Sequence, residues 1–362
     1  MSSSIARRAP VPASWRLHAA PGPALARGAL VAIPVSALLM LEFGFDERVI
    51  GGIATSASLA GFVAFDAPAR VRFRWQAATA PVLGLAVMVG VLSSQTTATA
   101  ILAMAIVAGF GGYCGAISSR FAIAAATCVL ALLIAQGLYI DLDATLRSLA
   151  YATLGGLVQA LWALVIWALL DRAVEPDEAR LRWRAVRATL RENLTMSSHS
   201  MRHALRWGGA LALGVAIYRV VDLGPHGYWV PLTILFVMRP EQGETVRRMA
   251  MRAAGTIVGL LIATALAELL GDAVIPIALV LGVAMALAYA FLALEYAIFT
   301  TAITVFIVLL SDTLGFPAFE AADERAIATV IGIAVAGLAF WAWGDPTPER
   351  GTRSGLSPAR RS

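Results

Sequence analysis

The chain has 362 residues, of which 59% are hydrophobic and only 14% charged, and its mean hydropathy is +0.77; an ordinary soluble domain carries about 25% charged residues. Its net charge of +5 comes from arginine alone. The absence of lysine excludes a P-loop ATPase site, a Schiff-base lysine and a lysine general base. Apolar runs recur from residue 29 to residue 343, the mark of a chain that crosses a bilayer many times.

In chain order, residues 1–24 hold Arg7, Arg8, Arg16 and four prolines, too little apolar surface to pack, and are expected to form a disordered cytoplasmic tail. The apolar run that follows could be read as a signal peptide core, but a similar basic-then-apolar element recurs at 204–221, inside the chain. Spans are therefore expected near 26–42, 48–65, 75–93, 97–115, 120–138 and 148–170, forming a first six-helix membrane repeat over 25–170. A second repeat over 204–343 has spans near 204–221, 228–238, 249–269, 273–291, 296–311 and 326–343. The predicted fold class is all-α and polytopic, about twelve transmembrane helices in two parallel six-helix repeats. Residues 344–362 read as a second disordered cytoplasmic tail.

Between the repeats, 171–203 reads as a cytoplasmic amphipathic linker helix from about Pro176, with Asp177 and Glu178 in its first turn. Ala179, Trp183, Val186, Leu190 and Leu194 make one apolar stripe, beside Arg180, Arg184, Arg187 and Arg191. Such a helix suits an anionic lipid surface or serves as a plain connector.

Arginine placement tests this topology, because retained positive charge falls on alternate loops. With the N-terminus inside, all of the 28 arginines except Arg48, Arg147, Arg219 and Arg325 fall on the cytoplasmic side. The halves also align: Arg27 with Arg206, the Arg70/Arg72/Arg74 loop with Arg239/Arg247/Arg248, and Gly84 with Gly259. Parallel repeats make their interface the natural place for a substrate path.

The segment 227–263 is the most informative. Its span 228–238 has 11 residues, about 16 Å of helix against a hydrocarbon core about 30 Å thick. Either the helix continues through Arg239 to Gln242 in a protein-lined setting or Pro231 marks a break; short, proline-bearing spans point to transporter sites. Tyr228-Trp229-x-Pro231-Leu232-Thr233, Arg239-Pro240, Gly243, Thr245, Arg247-Arg248 and Arg252-x-x-Gly255-Thr256-x-x-Gly259 together resemble the signature of the FUSC family. That family comprises fusaric acid resistance and aromatic acid exporter proteins and is related to the plant aluminium-activated malate transporter fold. The resemblance implies export of organic anions, often aromatic carboxylates, across a bacterial inner membrane. Two departures stand out. Larger exporters of the family carry a big soluble domain where this chain has a 33-residue connector, and the first repeat has Ala77 and Ala80 at the positions of Arg252 and Gly255.

Physical chemistry supports an anion path on its own terms. Arg239, Arg247, Arg248 and Arg252 lie within 14 residues at a cytoplasmic face, and guanidinium grips carboxylates in bidentate fashion while staying charged. Arg252 is the deepest, since the sequence after it is unbroken apolar to residue 267, and an arginine entering a span is functional or paired by default. The substrate ring is expected against Tyr228 and Trp229, with Thr233 as hydrogen-bond partner. Glu268 and Glu295, at or near span ends, are the candidate proton-coupling carboxylates. Gln136, Gln159 and Arg219 suit helix–helix hydrogen bonds better than a path.

His199 and His203 stand at i, i+4 without a placeable third ligand, and no metal site is assigned. Cys114 and Cys128 lie in apolar runs, where a thiol behaves as a small hydrophobe. No Gly-x-Ser-x-Gly, His-Glu-x-x-His or dinucleotide loop is present, so neither enzyme nor cofactor is expected. The sequence thus reads as an inner-membrane transporter exporting small organic anions, proton-coupled, with both termini cytoplasmic. A passive organic-anion channel and a non-transporting membrane scaffold are the alternatives. Expected partners are the anions and membrane lipids, not nucleic acid, with a homo-oligomer or a periplasmic adaptor left open.

Overall fold

A computed structural model describes residues 21–42, 47–138, 141–170, 183–196, 198–221, 223–224, 226–240, 242–271, 273–313 and 316–342. The tails expected at 1–24 and 344–362 lie outside these residues apart from 21–24, which already belong to the first helix, and so does the start of the linker helix at 176–182.

All regular structure among the described residues is helical, because a chain in hydrocarbon has to satisfy its backbone internally. The first half contributes α1 (Pro21–Glu42), α2 (Glu47–Phe62), α3 (Ala69–Ser93), α4 (Thr97–Cys114), α5 (Ser119–Gly137) and α6 (Thr145–Leu170). The connector forms α7 (Trp183–Glu192), and the second half forms α8 (His199–Val221), α9 (Trp229–Val237), α10 (Gln242–Leu270), α11 (Val274–Phe291), α12 (Tyr296–Thr313) and α13 (Ala318–Ala342). Ten of these are long and apolar enough to cross a membrane; α9 and the apolar part of α2, Gly52–Phe62, are shorter. The chain is a multi-pass membrane protein. Outward faces carry Leu102, Ile106 and Phe110 on α4 and Leu261 and Leu269 on α10, the apolar surface that lipid solvates.

Local sequence sets the ends. Thr96 and Ser118 are extended N-caps whose hydroxyls accept from the Thr99 and Phe121 amides, at 3.1 and 3.4 Å. The Tyr113 hydroxyl donates to the Leu190 carbonyl and ties α7 to the end of α4.

Inside, α3 packs on α6 and α5, and α10 packs on α12 and α13. The halves meet along two seams, α1 on α11 and α4 on α8. Glycines permit both: a methyl on Gly28 would sit 2.4 Å from the Ala286 carbonyl oxygen, and one on Gly208 would sit 2.9 Å from that of Ala105. Polar side chains stitch the helices together. Gln159 donates to the Val31 carbonyl at 3.0 Å and Gln136 to Ser93 Oγ at 2.8 Å, while Arg219 donates to the carbonyls of Ser94 and Gln136 at 3.0 and 3.1 Å. These three residues serve as interhelical ties.

Candidate anion site

The site is built around α9. Leu232, Ile234, Leu235 and Val237 drive this nine-residue helix into the protein, and Pro231 sits in its first turn, where a missing amide is harmless. The chain therefore does not break at Pro231, nor does the helix run on to Gln242. It ends at Val237, and Met238 is extended (φ −69°, ψ 130°). Pro240 explains this: its ring disfavours helical geometry at Arg239. Thr245 Oγ1 then fastens the turn by accepting the Arg239 amide at 2.9 Å.

Two contacts fix directions. Arg206, near the start of α8, donates to the Pro240 carbonyl at 2.9 Å and lies 3.8 Å from the Phe340 ring centroid. The start of α10 and the end of α13 thus meet at one edge. At the opposite edge, His226 Nδ1 lies 2.6 Å from Glu324 Oε2, joining the start of α9 to the start of α13. It follows that α9 runs parallel to α13 and antiparallel to α10.

Arg252 and Arg325 reach the interior from these opposite edges. Arg252 stands ten residues into α10, roughly 15 Å, and Arg325 seven residues into α13, roughly 10 Å. Both are fully buried. The Arg252 Cζ lies 5.7 Å from the ring centroid of Phe236, at the end of α9, and the Arg325 Cζ lies 5.1 Å from that of Trp229, at its start. None of the three nitrogens of either guanidinium has a hydrogen-bond partner, and neither arginine has an ion pair among the described residues. The two charges act on each other. The Tyr296 hydroxyl is close enough to Arg252 to interact electrostatically, yet it completes no hydrogen bond. Thr233, Thr256, Thr304 and Thr329 are likewise buried with hydroxyls that lack partners among the described residues. Buried polar groups are ordinarily hydrogen-bonded, so this concentration of orphaned donors needs an explanation.

Of the residues singled out from sequence, Arg252, Trp229 and Thr233 come together here. Tyr228 lies half-buried at the head of α9, where a methyl on Gly137 would sit 2.4 Å from its ring. The other arginines stay at the edge. Arg248 pairs with Glu244 at 2.8 Å and lies 4.5 Å from the Tyr296 ring centroid, and exposed Arg247 pairs more loosely with Glu244 at 3.4 Å. Arg239 sits half-buried in the α9–α10 turn. Glu268 is exposed near the far end of α10, and Glu295 is half-buried between α11 and α12. Because Glu244 offsets two edge arginines, Glu244→Gln is expected to lower the half-saturating anion concentration about two- to threefold at low salt and not at 0.5 M salt, where the Debye length is only about 4 Å. Initial uptake rates across a salt series check this; stability should move by less than about 1 kcal/mol.

Arg325 corrects the sequence reading. Arginine counting places it on an outside loop before a span at 326–343, whereas α13 starts at Ala318 and carries it inward. The signal was present: Ala318, Ala321, Ala322, Arg325, Ala328, Thr329 and Gly332 are all buried, on one helical face.

Residues 211–339 match the family model described as fusaric acid resistance protein-like. The inner membrane protein YccS of Escherichia coli (strain K12) is 36% identical over 161 residues, 43% of this chain and 22% of YccS. An uncharacterized protein of Synechocystis sp. is 31% identical over 154 residues, 42% of this chain and 20% of its own length. A Haemophilus influenzae protein is 29% identical over 161 residues, 44% of this chain and 22% of its own. The matches thus span about a fifth of each of these relatives. No solved structure matches. The matched stretch contains all of α9, α10, α11 and α12, with Arg252 and Arg325, and over residues 211–339 this chain is similar to the fusaric acid resistance protein-like (FUSC) family.

Proposed function

We propose that this membrane protein transports small organic anions, aromatic carboxylates foremost, and that Arg252 and Arg325 line the path. One observation carries the reading: two fully buried guanidiniums, with ten N–H donors between them, make no ion pair and complete no hydrogen bond among the described residues. Burying a charge is expensive unless it is paired, so the arrangement makes sense for a site that an anion passes through. Trp229, Phe236, Tyr296 and Phe299 supply flat apolar surface for a ring, and the similarity of residues 211–339 to a fusaric acid resistance protein-like family fits the same chemistry.

The twelve-helix, two-repeat layout belongs to this proposal. Arg27 donates to the Asp66 carbonyl just beyond α2, as Arg206 does to that of Pro240 just beyond α9. The α1–α11 and α8–α4 seams repeat one contact with the halves exchanged. Short α2 and α9 then hold equivalent places, and the second half carries the fully buried pair Arg252 and Arg325. A bacterial inner membrane with both termini cytoplasmic is the setting that arginine placement favours.

The test is counterflow of labelled aromatic and aliphatic carboxylates in proteoliposomes. Wild type is expected to exchange an aromatic acid at least tenfold faster than Arg252→Ala. Equal rates would sink the site, and no flux of any organic anion would favour a scaffold. Proton coupling is examined in the same vesicles with Glu268→Gln, Glu295→Gln and Glu324→Gln, the last being the carboxylate that the fold sets next in sequence to Arg325. A variant that keeps exchange but ignores a pH gradient identifies the proton carrier. Indifference of wild type to the gradient leaves a passive channel.

A further inference from the structure

The two arginines are not alone on their helices. Arg252 and Thr256 on α10, and Arg325 and Thr329 on α13, are each four residues apart and so share a face. All four are buried, and neither threonine hydroxyl takes the backbone carbonyl one turn back that most other buried threonines here use, as Thr79 and Thr300 do. The helices run antiparallel, with Pro240 and Phe340 both against Arg206. Counted from that edge, Arg252 lies at about 18 Å and Thr329 at about 16 Å, while Arg325 lies at about 22 Å and Thr256 at about 24 Å. The backbone of each arginine is therefore about level with that of the threonine on the opposite helix. Between them runs α9, with the rings of Phe236 and Trp229 under the two arginines, seven residues or about 10 Å of helix apart.

From this pairing we infer that the site takes a dianion, a flat molecule with a carboxylate at each end, one end held by Arg252 with Thr329 and the other by Arg325 with Thr256. The inference rests on the anion-transport reading and specifies its substrate class. The argument is charge balance. One carboxylate neutralises one guanidinium and leaves the other buried, repelled and unsolvated; two carboxylates on one rigid frame satisfy both. An aromatic spacer matches the rings of Trp229 and Phe236 and holds its carboxylates apart without loss of chain entropy.

The test compares ligands of one shape and different charge on the purified full chain in nanodiscs. Calorimetric titrations use terephthalate and isophthalate against their monoamides, which keep the size and lose one charge, and against benzoate. A charge-assisted contact to a buried guanidinium predicts dianions binding at least about tenfold more tightly than their monoamides. Arg252→Gln and Arg325→Gln should each erase that difference while still binding the monoamide. Monoamides that match the dianions on wild type would overturn the dianion assignment and leave the anion path standing. Failure of all five compounds to bind, with no carboxylate exchange in vesicles, would remove the anion path itself. The wild-type comparison decides even where a variant does not fold.

Discussion

Arg325→Met is expected to raise the thermal stability of the ligand-free protein and at the same time to abolish anion exchange, and Arg252→Met is expected to do the same. A structural arginine behaves in the opposite way. Removing one partner of a satisfied buried pair strands the other and destabilises by about 3–5 kcal/mol, whereas replacing buried charge with apolar groups of similar volume stabilises by about 1–4 kcal/mol. Among the described residues Arg325 has no ion pair or hydrogen bond to strand, and it stands in the repulsive field of Arg252. Methionine keeps most of the stem's packing over Trp229 and discards the desolvated charge. The gain should exceed the weak arginine–ring attraction, which is about 2 kcal/mol when desolvated. Thermal unfolding of the detergent-solubilised protein reads the effect, with Arg206→Met as the control. Arg206 donates to the Pro240 carbonyl at 2.9 Å and packs on Phe340, so its loss should lower stability by about 1–3 kcal/mol. Were Arg325→Met to melt earlier than wild type, the guanidinium would be a structural element and the anion site would be lost.

The same contrast separates what the sequence reveals from what it hides. Arg252 is legible because it stands at the head of a long apolar run, where only function or pairing explains a charge. Arg325 is hidden by its neighbours. Glu320, Asp323 and Glu324 make 318–325 look like a loop, and the helix is recognised only when its small buried residues are read at spacings of three and four. Burial of a charged residue depends on what packs over it, and Trp229 and Tyr228, about a hundred positions away, are beyond the reach of local pattern. The long helices follow directly from apolar length, hence the agreement over ten of them. The shortness of 228–238 is equally legible, but its cause is not Pro231. Pro240 ends the helix from outside, an effect that falls on the residue before it. Interhelical ties such as Gln136 and Gln159 announce themselves as amides in hydrocarbon, although sequence does not name the carbonyls they meet.

Gly332→Ala carries the second large effect, because it acts on the helix that supports the site. A methyl at Gly332 would lie 2.6 Å from Thr233 Cβ and 2.8 Å from the Val230 carbonyl oxygen, so α9 has to move away from α13. Overpacking of this kind costs about 1–3 kcal/mol. The first half holds a matching position: a methyl at Gly155 on α6 would lie 2.2 Å from the Ile53 carbonyl oxygen and 3.0 Å from the Ala57 amide nitrogen of α2. Gly155→Ala should therefore destabilise at least as much. The two variants part company at the ligand. Moving α9 carries Trp229 and Phe236 off the guanidiniums of Arg325 and Arg252, so Gly332→Ala should weaken carboxylate binding about tenfold or more in the fraction that folds, whereas Gly155→Ala, which displaces α2 and leaves α9 in place, should bind as wild type does. Unfolding curves and titrations on the same preparations supply both readings. Wild-type binding by Gly332→Ala would mean that α9 is scaffold rather than the floor of the site. Equal binding losses in both variants would mean that the two halves do not divide the labour, and that the anion passes between them rather than through the second alone.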